Sequence, residues 1–523
     1  MISIKRARTI GVVILSGILS AAVPGFAESP SLADRVIEHK LANGMTVLMV
    51  ERHQAPIVSI NMTFGVGGVN EQVGLTGLAH LYEHMAFKGT RTVGTRDYER
   101  EQAVLDELTL VGNELDRRER DEAARAQMEG KAPVVSQEVQ QLRRRFKELQ
   151  EKAGEFVVGN EMALLYQRHG GVGLNASTGK DITRYVISLP ANRLPLWAAL
   201  ESDRMAHPVL REFYKERGVV MEERRLRTDD SPNGLLYETF TSTAFQAHQY
   251  GVPTIGWGSD IMALTPAATE AFFNTYYGPN NATVAIVGDI QPKEVIALIE
   301  QTFGKIPAAP PIPALVTEEP PQRGERRVEI EFDAEPALAI GYHKPTIGHP
   351  DDFVFDVIDE VLTEGVTSRL YSTLVRDKRL AASVLSDTNY PGVRAPNLFV
   401  IAATPLAPHT TTEVESAIYE ELERLKTEPI SAKEFERVLN GLDADLVRSL
   451  RSNSGLASQL AFYQTVAGTW RYVLNARDRI AAVTPADVQR VASQYLTKPN
   501  RTVGILVKKA PDKKMAAAGE VAR

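Results

Sequence analysis

The chain has 523 residues, more than one hydrophobic core usually supports, so at least two domains of about 200 residues each are expected. A hydrophobic content of 43% and a charged content of 24% are those of an ordinary globular protein, which excludes a disordered chain and a polytopic membrane protein. The formal charge of -7 leaves nothing basic enough for nucleic acid, and with no cysteine, disulfides, thiolate ligands and a lipid-bearing Cys are excluded. Any metal must be held by histidines and carboxylates.

Lys5, Arg6 and Arg8 precede an apolar run from Ile10 to Val23, and the small residues Gly25 and Ala27 follow. This is the pattern of a cleavable secretory leader over residues 1–27, too short for a membrane span. Cleavage after Ala27 removes three cations and no acid, taking the formal charge from -7 to -10. The mature chain is expected to have no membrane span and to reside in the periplasm, with secretion also open.

Next, a β-run from Val58 to Phe64 leads through a Gly-containing loop into a helical pattern from Leu78 to Phe87. From Tyr98 to Phe156 the chain is dense in charge, with Leu105, Leu108, Leu115, Val139, Leu142 and Phe146 at helical spacing and a break at Gly130 to Pro133. The spacing predicts two antiparallel helices, a hairpin inserted in the first domain that carries its own contacts and reads mainly as a solvated arm. Further on, Thr265, Pro266, Ala267, Tyr276, Asn281, Thr283 and Val284 recur 219 residues later as Thr484, Pro485, Ala486, Tyr495, Asn500, Thr502 and Val503. In both copies a Thr N-cap with Pro at the first helical position opens an amphipathic helix that runs into a β-rich segment. At the front of the second copy, Ala337 to Tyr342 and then Phe353 to Leu362 repeat the β-run and helix; pairing Lys88-Gly89 with Glu364-Gly365 gives an offset of 276, so the first copy holds 57 extra residues, the hairpin. Pro-Pro-Ile-Pro and Glu-Glu-Pro-Pro between the copies can be neither helix nor central strand. The expected organisation is a leader (1–27), a first domain (32–306, hairpin 98–156), a Pro-rich linker (307–323), a homologous second domain (324–507) and a polar tail (508–523). Each domain is expected to be α+β, a mixed β-sheet with helices packed mainly on one face.

His80, Glu83 and His84 fall at i, i+3 and i+4 of the helical pattern, so two imidazoles and a carboxylate share one face. Two histidines one turn apart can share a Zn2+ with the Glu beside it, and His-x-x-Glu-His is the inverted zinc-peptidase order. Leaving these three groups unpaired on a half-buried helix would cost several kcal/mol. The remaining histidines lack a helical partner at ligand spacing and read as surface or packing residues.

The residues around the motif extend the match. Leu41-Ala42-Asn43-Gly44, Gly77 to Thr90, Leu174-Asn175-Ala176-Ser177-Thr178, Glu216-Arg217-Gly218-Val219-Val220 and Tyr277 to Ala282 occur in order along the first domain, and Thr367-Ser368-Arg369-Leu370 in the second. With these stretches the chain resembles the pitrilysin (insulinase) family of zinc metallopeptidases, in particular its two-domain, mitochondrial-processing-peptidase-like branch. The resemblance implies one Zn2+ per chain and a metalloendopeptidase in which Glu83 activates the attacking water. It implies a third ligand, a Glu downstream: plain counting lands on Glu161, whereas order along the chain, after the Asn-Ala-Ser-Thr strand and on the helix opened by Glu216, selects Glu223. Glu216, two turns before Glu223 on the same face, is then a supporting carboxylate for the catalytic apparatus, and Glu222 is turned away by about 100°. By the same resemblance Asn175, Ala176 and Ser177 form a sheet edge to which an extended or unfolded peptide substrate adds as a strand.

Two-domain members are half of a closed clamshell in which an Arg, with a Tyr seven residues on, faces the zinc. In the second half of this chain no Arg has a Tyr seven residues later, and alignment puts Leu398 at the Arg position. A heterodimer with a homologous subunit supplying Arg and Tyr is therefore expected, a homodimer with another donor being the alternative. The rival function is a non-catalytic scaffold or processing subunit, against which the intact His80, Glu83, His84 and Glu223 argue.

Overall fold

The computed structural model describes residues 32–132 and 134–509; the leader read over 1–27 and the tail beyond 509 lie outside them. In the first half, strands β1 (Ile37–Lys40), β2 (Thr46–Glu51), β3 (Ile57–Phe64), β4 (Val172–Thr178), β5 (Thr183–Pro190) and β6 (Ala282–Gly288) form a sheet in the order β1-β2-β6-β3-β5-β4. In the second, β7 (Arg326–Phe332), β8 (Ala337–Lys344), β9 (Ala381–Tyr390), β10 (Asn397–Pro405) and β11 (Arg501–Lys508) form β7-β11-β8-β10-β9. Without β1 the two orders are the same, down to a single parallel pair in each, β2 with β6 and β7 with β11. Both halves are thus mixed sheets of one topology, the α+β pair that the repeat predicts.

The helices that position the site are, in the first half, α1 (Leu78–Met85), α2 (Tyr98–Met128), α3 (Gln137–Gly154), α4 (Glu161–Arg168), α5 (Phe213–Arg224), α6 (Pro232–Ala244) and α7 (Pro266–Tyr276). In the second they are α8 (Pro350–Leu362), α9 (Ala432–Arg451), α10 (Asn453–Val466), α11 (Tyr472–Ala481) and α12 (Pro485–Tyr495). The Thr-Pro pairs cap their helices as the pattern predicts: Thr265 accepts from the Ala268 amide, and Thr484 forms a capping box with Asp487. Asn281 and Asn500 each donate to the carbonyl five residues back, on Tyr276 and Tyr495. The repeat is therefore a repeat of hydrogen bonds as well as of letters.

β6 is buried along its whole length and β3 from Val58 on, polar Ser59, Asn61 and Thr63 included, because both their faces are covered. One face packs on α1 through Leu78, Leu81, Tyr82 and Met85. The other is covered by α10, a helix from the second half, whose Leu456, Ala457, Leu460 and Ala461 pack with Trp470 on Leu48, Val50, Ala285 and Val287. The exchange is reciprocal. From the first half, α6 lies on β7, β8 and β11, with Phe240 seated over Gly341 and Gly504; a Cβ at residue 341 would come within 2.6 Å of its ring. No helix among the described residues is long and apolar enough to cross a membrane.

α2 and α3 form the antiparallel hairpin, held along its outer part by exposed ion pairs such as Arg145–Glu107 and Arg143–Glu119. Its base is not self-contained, which corrects the expectation that the hairpin carries only its own contacts. Glu101 of α2 pairs at 2.7 Å with Arg211, both side chains being 0% exposed, and Asp116 pairs at 2.7 Å with Arg217 of α5. The dense surface charge of the segment hides these two acids in the sequence.

Candidate metal centre

α1 starts where backbone and side chain leave no choice. Gly77 has φ +90, and a Cβ there would sit 2.6 Å from the Ile255 carbonyl oxygen. Glu71, 3% exposed, accepts from the amides of Gly77 and Ala79 at 2.8 Å each, satisfying two donors at the helix start. Burial pushes the Glu71 carboxyl up to about 8 against these two bonds.

On this helix the i, i+4 spacing brings the His80 and His84 rings to 4.8 Å between centroids, at 75° to one another. Glu223, near the end of α5, completes a triangle: His80 Nε2 lies 3.7 Å from Oε1 and His84 Nε2 3.4 Å from Oε2, and one ligand atom from each of the three residues falls within 4.8 Å of the others. These contacts are long for hydrogen bonds. They suit ligands of one tetrahedral zinc, whose bonds of about 2.0–2.2 Å set neighbouring donors about 3.4 Å apart. Burial pushes the His80 imidazole down to about 3, with His84 and Arg227 adding to the effect, so it is neutral and able to ligate.

Around the triangle, Glu83 Oε2 accepts from the Thr178 hydroxyl at 2.6 Å. Burial raises the Glu83 carboxyl above its ordinary range, and the Thr178 bond opposes that rise. Glu216 Oε2 lies 3.4 Å from His84 Nδ1, and Lys88 Nζ is 2.5 Å from Glu216 Oε1. The contact with Glu216 raises the His84 pKa; burial works against Glu216, yet His84 and Lys88 together hold its carboxyl below the usual value.

The structure brings His80, His84, Glu83, Glu216 and Glu223 together. It does not bring Glu161, which starts α4 and accepts from the Gly94 amide at 2.5 Å, nor Glu222, which pairs with Arg225 on the exposed side of α5. Asn175, Ala176 and Ser177 lie on β4, the end strand of its sheet, bonded on one side to Val186, Tyr185 and Arg184 of β5. The same strand ends on Thr178, so this edge borders the triangle. Leu398 is fully buried on β10, in a cluster with Phe240 of α6.

Four residues of the site escape the sequence reading. Thr178 closes a matched stretch, one position beyond the three residues assigned to substrate; Lys88, four residues after His84, is available from helical spacing alone. Arg227, in the π-helical turn Arg225–Asp229 that continues α5, lies 2.8 Å from Glu223 Oε1, and the i,i+4 spacing from Glu223 is the signal that could have found it. Glu71 reads as an ordinary loop acid. Outside the motif, His39, His53 and His207 each pair with a single acid, Glu300, Asp289 and Asp203.

Residues 46–106 match the family described as insulinase (peptidase family M16), and residues 263–442 match the peptidase M16 inactive domain. Over 473 residues the chain is 29% identical to the zinc protease PqqE of Helicobacter pylori, covering 89% of this chain and 91% of that one. A crystal structure of a protease from Helicobacter pylori superposes with a TM-score of 0.74 at 28% identity, over 90% of this chain and 99% of the other. The first half of the periplasmic protease PqqL from Escherichia coli shares the fold, with a TM-score of 0.65 at 18% identity over 94% and 97% of the two chains. The chain belongs to peptidase family M16, the insulinase or pitrilysin family.

Proposed function

We propose that the chain is a zinc metalloendopeptidase that hydrolyses extended or unfolded peptides, with His80, His84 and Glu223 as the ligands of one zinc ion. The observation that carries this reading is the triangle of His80 Nε2, His84 Nε2 and the Glu223 carboxylate with Glu83 beside it. When bound, zinc supplies Lewis acidity, polarising a peptide carbonyl and acidifying a water molecule. Glu83 takes the proton of the attacking water and delivers it to the leaving amine; its raised pKa suits a group that must both accept and return a proton. Thr178 fixes the direction of that carboxylate. Glu216 rests against His84 Nδ1 and so favours the tautomer that leaves Nε2 free, a positioning role in which Lys88 balances its charge. The open edge of β4 at Asn175, Ala176 and Ser177 receives the substrate as an added strand, so backbone hydrogen bonds rather than side chains give most of the affinity. The match to the inactive domain covers residues 263–442 and touches none of the proposed ligands, so it does not count against a metal site on α1 and α5.

The same proposal includes a partner. With Leu398 buried under Phe240, no Arg stands at that position, and no Arg in the second half has a Tyr seven residues on. A homologous subunit supplying both would complete the oxyanion site, where one donor is worth about 3–4 kcal/mol of barrier. Export to the periplasm rests on the leader pattern alone. The decisive experiment is Glu83→Gln, with zinc content and peptide hydrolysis measured together, for the chain alone and with a candidate partner. Stoichiometric zinc with nearly all activity lost is expected; an active Glu83→Gln protein overturns the mechanism, and full activity of the wild-type chain alone overturns the partner.

A further inference from the structure

The offset of 276 that pairs Lys88 with Glu364 also sets Asp356 opposite His80, Asp359 opposite Glu83 and Glu360 opposite His84. The fold repeats this pairing at one contact: Glu83 accepts from Thr178 at the edge strand of the first sheet, and Asp359 accepts from Ser386 on β9, the edge strand of the second. The second half therefore holds a carboxylate version of the motif helix. It does not gather these acids into a metal triangle; among the described residues only His80, His84 and Glu223 meet that spacing.

Instead, the face of α8 that carries Asp352 and Asp356 opens onto a cavity of about 380 Å3 walled by α9, α10 and α11. Leu442 and Leu446 line one part, and Tyr463 and Tyr472, stacked at 4.9 Å and 23°, line another. The other acids of the cavity are spoken for. Asp352 is paired with the buried Lys344, Asp443 with Arg477 at 2.8 Å, and Asp445 with Arg448. Asp356 has only the Thr388 hydroxyl, at 3.4 Å. Burial, then the neighbouring Asp352, pushes its carboxyl up to about 8; Lys344, the cation that opposes this rise, is itself bound to Asp352.

We infer that this cavity binds an organic ammonium group on an apolar stem, the charge meeting Asp356 and the stem lying among Tyr463, Tyr472, Leu442 and Leu446. A carboxylate beside stacked aromatic rings is a favourable setting for such a cation. The chemistry is shared by a free amine and by the lysine side chain of a peptide. The site stands apart from the zinc ligands, so its test needs neither metal nor catalysis.

Calorimetric titration of the chelator-treated full chain with benzylammonium at about pH 8.5, where Asp356 is ionised and the ammonium is still charged, should give saturable binding of one molecule per chain, while benzyl alcohol, its neutral counterpart, should bind at least about tenfold more weakly. Asp356→Asn should weaken benzylammonium by a similar factor, and Leu446→Trp should block the cavity and abolish binding. Competition by the capped tripeptide Ala-Lys-Ala but not Ala-norleucine-Ala would assign the site to peptide side chains; competition by neither would assign it to free amines. No binding, equal binding of the alcohol, or unchanged binding in a folded Asp356→Asn protein would overturn the inference.

Discussion

The pair formed by Glu101 and Arg211 is the sharpest test of how the hairpin and the metal helix are coupled. Both side chains are 0% exposed, and the guanidinium also donates to the carbonyls of Lys88 at 3.2 Å, Thr90 at 2.5 Å and Val93 at 3.1 Å. It thus joins the loop after α1 to the start of α5, the two helices that carry the proposed ligands. Glu101→Ala would leave a cation without a counter-charge in a dry site, at a cost of about 3–5 kcal/mol. Glu107→Ala, which breaks the exposed pair with Arg145 on the same helix, should cost about 0.2–1 kcal/mol. Urea unfolding followed by circular dichroism and tryptophan fluorescence would compare the two, with zinc affinity measured on the folded proteins. If Glu101→Ala falls within about 1 kcal/mol of Glu107→Ala, the hairpin is an appendage after all and the buried pair does not brace the site.

Three further outcomes are expected. Glu223→Gln should lose zinc by metal analysis while Glu161→Gln keeps it; the reverse would return the third ligand to the position that counting selects. Asp356 is held up to about 8 by burial and then Asp352, with Lys344 opposing and Asp359 adding. The folded protein therefore keeps a proton that the unfolded chain releases above about pH 4, so this group makes stability fall as pH rises from about 4 to about 8. Asp356→Asn should melt higher than the wild type at pH 8, with the difference closing toward pH 4 in a thermal-melt series; a pH-independent difference would contradict this. Leu460→Ala, at a position 0% exposed between α10 and the first sheet, should cost about 2–5 kcal/mol by chemical denaturation. A cost below about 1 kcal/mol would mean that α10 merely lies on that sheet.

The motif helix was legible because two imidazoles and a carboxylate at i, i+3 and i+4 seldom share one helical face unless they act together, and the duplication because Thr-Pro caps and a recurring Asn mark the same turns twice. Choosing Glu223 over Glu161 needed chain order, since the hairpin stretches the spacing on which a count depends. The exchange of α6 and α10 could not be read. An amphipathic pattern reveals that a face is buried, not which sheet buries it, and Phe240 finds its room over Gly341 and Gly504, two positions far along the chain. Glu71, Glu101 and Asp116 stayed hidden for a related reason: an acid held in a specific contact looks, in sequence, like one dissolved in water.

That exchange has a mechanical side. With α10 of the second half forming one wall of the first sheet, and α6 of the first half one wall of the second, parting the halves would strip an apolar face from both sheets at once. Packing of this kind favours the two halves moving as one body. An opening that admits the proposed peptide substrate to the edge of β4 would then form across the outer face of this body, where the proposed partner subunit would sit.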